Sequence, residues 1–137
     1  MKKLLFFPAV LVLILALASC DDDGPKEILC TDQYVILTVE AEDGDGNPVT
    51  FDSVAVSRDS DDFLYEFDIL HGFQEGTYIL MTDKFFNDLS TNGTEITFEG
   101  FEDDGGMNLI ASEEYTVRQG ECHVEKVSGE DVIVVTP

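Results

Sequence analysis

Apolar and polar residues alternate with a period of two along most of the chain, the pattern of half-buried β-strands. Val35, Leu37, Val39 and Ala41 share one face of a first run, 34–41. A second strand is expected over Val49–Ser57, with Val54 and Val56 turned inward. The cleanest alternation lies in Phe63–Leu70, where Phe63, Tyr65, Phe67 and Ile69 interleave with Leu64, Glu66, Asp68 and Leu70. Further strands are read at Thr77–Thr82, Thr94–Phe101, Met107–Arg118, Cys122–Val127 and Val132–Thr136. Turn chemistry separates them: Asp43-Gly44-Asp45-Gly46-Asn47-Pro48, Arg58–Asp62, His71–Gly76, Glu102–Gly106, Gln119–Glu121 and Ser128–Asp131. No ten-residue stretch carries a helical period. Asp83 is expected to cap one short helical turn through Leu89, because a carboxylate accepts from the free amides at a helix start. About eight short strands at regular spacing predict an all-β fold, a single antiparallel β-sandwich of seven to eight strands with Greek-key connections. Phe63, Tyr65, Phe67, Phe73, Tyr78, Phe98 and Tyr115 are expected in its core. Phe85, Phe86 and Phe101 lie near turns, where sandwiches often bind.

The N-terminus follows a different pattern. Lys2 and Lys3 precede an apolar run, Leu4–Leu17, broken only by Pro8. That run is shorter than the ~20 residues a helix needs to cross a bilayer and matches a cleaved secretory signal. It ends Leu17-Ala18-Ser19-Cys20, which resembles the lipobox of bacterial lipoproteins. The resemblance implies cleavage before Cys20 and acylation of its sulfur, hence membrane attachment through lipid. Three parts follow: a signal peptide at 1–19, a lipidated acidic linker at 20–31 and a sandwich domain at 32–137. Asp21-Asp22-Asp23-Gly24-Pro25 resembles the surface-export signal of Bacteroidetes-type lipoproteins, whereas Asp after the lipidated Cys of enterobacterial lipoproteins favours inner-membrane retention. The expectation is the outer membrane, with the cell surface ahead of the periplasmic face. In each case the segment acts as a linker, since Asp, Gly and Pro bury little apolar area.

Charge narrows the partners. The chain carries 29 acidic and 7 basic residues, a formal charge of −22. Losing Lys2 and Lys3 with the signal leaves five basic residues and a charge of −24. Such a surface excludes nucleic acid as a partner, because phosphate binding needs a basic patch. It favours solubility and permits cation binding. Besides Cys20 there are two cysteines, Cys30 and Cys122. An even pair in an exported chain reads as a disulfide. Closing a loop of about ninety residues would stabilise the fold by ~4–5 kcal/mol in the chain-entropy account.

Chemistry-bearing motifs are sparse. Asp43, Asp45 and Asn47 have the one-three-five spacing of a calcium loop, but an EF-hand wants Gly and Glu where Pro48 and Val54 stand. A looser calcium site could use Asp43, Asp45, Asn47 and Asp52, or Asp59, Asp61 and Asp62; the plainer reading is a hairpin turn. Glu102, Asp103 and Asp104 read as a solvated turn that discourages edge pairing. His71 and His123 are the only histidines, and neither has the neighbours of a zinc site or of a serine triad. No enzyme and no cofactor is expected. Asn92-Gly93-Thr94 matches an N-glycosylation acceptor. Asp52-Ser53-Val54 resembles the O-glycosylation motif of Bacteroidetes-type exported proteins, which marks Ser53.

Tyr34–Val39 followed by the acidic Gly-rich turn Asp43–Pro48 resembles the opening of small immunoglobulin-like or transthyretin-like sandwiches, carboxypeptidase-regulatory-like modules among them. Cys122-His123-Val124-Glu125-Lys126-Val127-Ser128-Gly129 is similar to the closing hairpin of small Bacteroidetes-type lipoproteins. This resemblance implies an envelope lipoprotein that serves as a non-catalytic binding or accessory module for a protein or glycan partner. A passive surface lipoprotein and a calcium-stabilised adhesion module are the alternatives.

Overall fold

The computed structural model describes residues 28–67, 73–103 and 105–136. The signal peptide, Cys20, His71 and Asp104 lie outside the described residues. Eight strands form an all-β sandwich: β1 (Ile36–Asp43), β2 (Ser53–Arg58), β3 (Phe63–Leu64), β4 (Thr77–Thr82), β5 (Thr94–Asp103), β6 (Met107–Gln119), β7 (Val124–Ser128) and β8 (Val132–Val135). A 3-10 turn, Asp83–Asp88, follows β4. One sheet has the order β4-β1-β8 and the other β3-β2-β5-β6-β7. All pairings are antiparallel except β1 with β8, which run parallel in register Glu40↔Val132 to Asp43↔Val135. A parallel pair needs a long crossover, and here the rest of the domain supplies it. Among the described residues no helix is long and apolar enough to cross a membrane.

The core lies where alternating positions of the two sheets meet. Val39, Ala41, Leu80, Met81 and Ile133 face Val56, Ile96, Phe98, Tyr115, Val117 and Val124, all almost fully buried. The β1–β4 register shifts between Leu37 and Thr38, so strict alternation fails in β4 and Leu80 and Met81 are both buried. Two glycines admit aromatic rings to this core. A Cβ on Gly100 would sit 2.7 Å from the Phe51 ring, and one on Gly129 would sit 2.1 Å from Cδ1 of Tyr115. The disulfide joins Cys30 to Cys122 across 92 residues, with Cα atoms 5.3 Å apart. It fastens the segment before β1 to the β6–β7 turn.

Several expectations are corrected. Of the run Phe63–Leu70, the described residues place only Phe63–Leu64 in a strand, and Asp68, Ile69 and Leu70 lie outside the described residues. The Tyr65 N–H still donates to the Val56 carbonyl (2.9 Å), and Tyr65 and Phe67 then pack edge-on against Phe85, at 5.0 and 5.8 Å between ring centroids. Aromatic packing on the 3-10 turn draws this segment off the sheet edge, which local period alone does not reveal. Phe85 is therefore core, Phe86 and Phe101 are half-buried, and Phe63 and Phe73 are exposed. The second strand begins at Ser53 rather than Val49. Ahead of it the Tyr78 hydroxyl accepts from the Phe51 N–H (2.8 Å) and donates to the Val49 carbonyl (3.0 Å). Val54 is 40% exposed, because its cross-strand neighbour is Gly100, which offers no side chain to cover it. The 3-10 turn has no side-chain cap at all; Asp83 is used elsewhere.

Register places the loops at two ends. β1 and β6 run in opposite directions, so the start of β1, the end of β6, the start of β7 and the 3-10 turn gather with the disulfide. The Asp43–Pro48 turn, the β5–β6 hairpin and Gln74–Gly76 lie at the other end.

Candidate functional site

At the disulfide end Asp83 ties three segments together. Its Oδ2 accepts from the Val35 N–H (2.8 Å) and from Nδ1 of His123 (2.7 Å), and its Oδ1 accepts from the Val124 N–H (2.9 Å). The Asp83 N–H returns a bond to the Val35 carbonyl (3.1 Å). Burial presses this carboxyl toward its neutral form. The Val124 and Val35 amides together with His123 outweigh that pressure and hold its pKa below the usual 3.8. With Nδ1 committed to Asp83, the His123 Nε2 faces the Thr31 hydroxyl at 3.5 Å. The Lys84 N–H donates to the Tyr34 hydroxyl (3.2 Å) in the same region. A cavity of about 290 Å³, lined by Thr31, Tyr34, Asp83, Asn87, Cys122 and His123 among others, opens over these groups. The arrangement satisfies buried donors and orients an imidazole. Its first task is to pin the N-terminal arm.

Among the described residues the acidic turns are tied into local hydrogen bonds. Asp43 spends both carboxylate oxygens on N–H donors: Oδ1 on the amides of Asp45 and Asn47, Oδ2 on the Asn47 side chain, each at 2.9 Å. These bonds hold the Asp43 pKa low, as expected of a turn-capping Asp. Asp52 accepts instead from the Asp103 N–H (2.8 Å) and so caps the β5–β6 hairpin. Asp59 accepts from the Thr97 hydroxyl (2.8 Å), and Asp61 forms a two-pronged pair with Arg58 at 2.7 and 2.8 Å. Among the described residues no three His, Cys, Asp or Glu side chains come together as a ligand set. Of the expected calcium grouping Asp43, Asp45, Asn47 and Asp52, the structure shows Asp43 capping its own turn and Asp52 capping the β5–β6 hairpin. Ser53 is exposed, with its hydroxyl 3.8 Å from the Met107 sulfur.

The larger candidate is a groove of about 740 Å³ on the open side of the sandwich, between β2 and β4. Phe51, Val56, Tyr78 and Ile79 form its floor, and Val54, Leu64, Phe67 and Phe73 its apolar rim. Leu64 is 59% exposed and Phe73 38%. The two charged side chains among its described lining residues, Asp52 and Glu66, are both acidic. Among the described residues β3 pairs only with Ser57 and Arg58 of β2, and Tyr65 beyond it packs on Phe85. Sequence reading missed both regions. The groove's lining comes from segments apart in the chain, and the Asp83–His123 pair spans 40 positions. The one legible signal was a lone Asp at a strand end. No family model, no curated protein and no solved structure matches the chain.

Proposed function

We propose that this chain is a lipid-anchored envelope lipoprotein whose sandwich is a non-catalytic binding or accessory module for a protein or glycan partner. The observation that carries the reading is the division of the sandwich. The N-terminal arm is locked to one end by Cys30–Cys122 and Asp83, while an apolar groove opens away from that end on the β2 side. A disulfide of this kind suits an oxidising compartment, in keeping with a signal that ends in Leu17-Ala18-Ser19-Cys20. The acidic segment 21–25 would space the domain from its membrane, with the outer membrane and cell surface as the favoured site. The apolar rim of the groove is what favours a binder over a passive coat protein.

The test is metabolic labelling with an alkyne fatty acid, followed by fractionation. The wild-type chain is expected to carry the label and to sediment with membranes. Cys20→Ala should lose both properties. Label retained by that variant, or a natural product still beginning at Met1, would overturn the anchored reading.

A further inference from the structure

We infer that Asn92 is a site of spontaneous covalent modification, at which the Gly93 amide nitrogen closes on the Asn92 side-chain carbonyl and converts the amide into an acid. The inference stands apart from the lipid anchor and from any partner.

The chain has four asparagines, Asn47, Asn87, Asn92 and Asn108. Closure to a five-membered imide needs an N–H on the next residue and little crowding around it. Asn47 precedes Pro48, which has no N–H, and its side chain is tied to Asp43 (2.9 Å). Asn87 sits in the 3-10 turn before Asp88, and Asn108 in β6 before Leu109. Both following residues carry a side chain beside the attacking nitrogen. Asn92 alone precedes a glycine. The fold itself demands that glycine: its φ is +118°, and a Cβ there would lie 2.9 Å from the Thr116 Cγ2. Asn92 is exposed, in the turn that leads into β5. Its N–H donates to the Ser90 hydroxyl (3.1 Å). The Gly93 N–H donates to the Ser90 carbonyl at 3.3 Å, longer than the typical length of about 2.9–3.0 Å, so little is lost when that nitrogen gives up its proton. The Gly93 nitrogen then bonds to Cγ of Asn92, the Cγ–Nδ2 bond breaks, and the nitrogen leaves as ammonia. Water opens the imide at either carbonyl, giving aspartate or isoaspartate. Either product adds a carboxylate to a polar cavity of about 580 Å³ that Asn92 lines with Arg58, Asp59, Asp88 and Glu95. Isoaspartate also carries the main chain through the former side chain and lengthens it by one carbon. The Ser90 carbonyl accepts from Gly93 and from the Gln119 N–H (3.2 Å), so a longer turn loosens the tie between the start of β5 and the end of β6.

The test holds the full chain, in detergent micelles, in mildly alkaline and mildly acidic buffer. Samples are mapped by mass spectrometry and labelled with an isoaspartyl methyltransferase. Conversion at Asn92 is expected to run at least about tenfold faster than at Asn87 or Asn108, a barrier gap of ~1.4 kcal/mol. It should yield mostly isoaspartate and be faster in the alkaline buffer, where more of the attacking amide is deprotonated. A free peptide of residues 89–96 is the reference, and the folded chain should convert nearly as fast. Asn92→Gln, whose imide ring would have six members, should lose the label. Asn92 left intact after the peptide has converted overturns the inference. So does equal conversion at Asn87 or Asn108, aspartate formed without isoaspartate, or label retained by Asn92→Gln. The converted fraction, separated by its added charge, should melt below Asn92→Asp, which carries the charge without the extra carbon. Equal melting of the two would overturn the effect assigned to the longer turn.

Discussion

At the disulfide end, one covalent bond and four hydrogen bonds at Asp83 gather the arm before β1, the 3-10 turn and the start of β7. At the β2 edge the reverse holds. β3 spans two residues, and Val54, Leu64 and Phe73 are exposed. The fold concentrates its long-range ties where the arm enters, and among the described residues the β2 side carries fewer of them. On the proposed reading, stability and recognition fall to different regions, and substitutions should separate them.

The largest effect is expected at the bond that closes the longest loop. Replacing Cys30 and Cys122 together by Ser should lower unfolding free energy by about 4 kcal/mol, measured in urea as a lower midpoint with a steeper slope, because the unfolded chain without the bond is more expanded. Asp83→Ala comes next. It strands the Val35 and Val124 amides and should cost about 2–3 kcal/mol. Its pH signature has a definite sign. The Asp83 pKa is lower folded than unfolded, so the stability it supplies is fully present above the ordinary value of 3.8 and is lost as pH falls through the lower folded value. Urea melts between pH 7 and pH 2.5 should show this acid loss in wild type and a shallower one in Asp83→Asn. Gly100→Val should cost about 1–3 kcal/mol through overpacking on Phe51; a paired Phe51→Leu should recover part of it, as a thermal melt would show. At the other side of the comparison, Leu64→Ser and Phe73→Ser should shift stability by no more than about 0.5 kcal/mol. A loss of 2 kcal/mol at either would mean that the groove rim belongs to the core.

Much of the architecture was legible because period two survives wherever one face of a strand is buried. Val39, Ala41, Ile96, Phe98, Tyr115 and Val117 fell on the buried faces that their alternation predicts. The Cys30–Cys122 bond followed from parity. What failed was governed by contacts distant in sequence. Over the described part of that run, the alternation of Phe63–Phe67 gave way to packing on Phe85, some twenty residues later. Val54 was misplaced because its burial depended on Gly100, a residue without the side chain to cover it. Asp83 was read as a helix cap, as its local sequence suggests, and was claimed instead by Val35, His123 and Val124. The acidic turn ran the other way. Asp43 carried a metal-like spacing, and local amide donors bond to both of its carboxylate oxygens.

The bond between Cys30 and Cys122 also decides how the domain would carry a mechanical load. Tension on the N-terminal arm enters at residue 30 and crosses directly to residue 122, at the turn joining β6 to β7. A partner held on β2 would pull against it through the β2–β5–β6 ladders. β1 and β8 lie outside that path, so the smaller sheet would be spared from peeling. Reducing the bond would shift the point of pull to the first residues of β1 and let the strand unzip. A force-extension trace should therefore show a high single rupture in the oxidised chain and an earlier, lower step once the sulfurs are reduced.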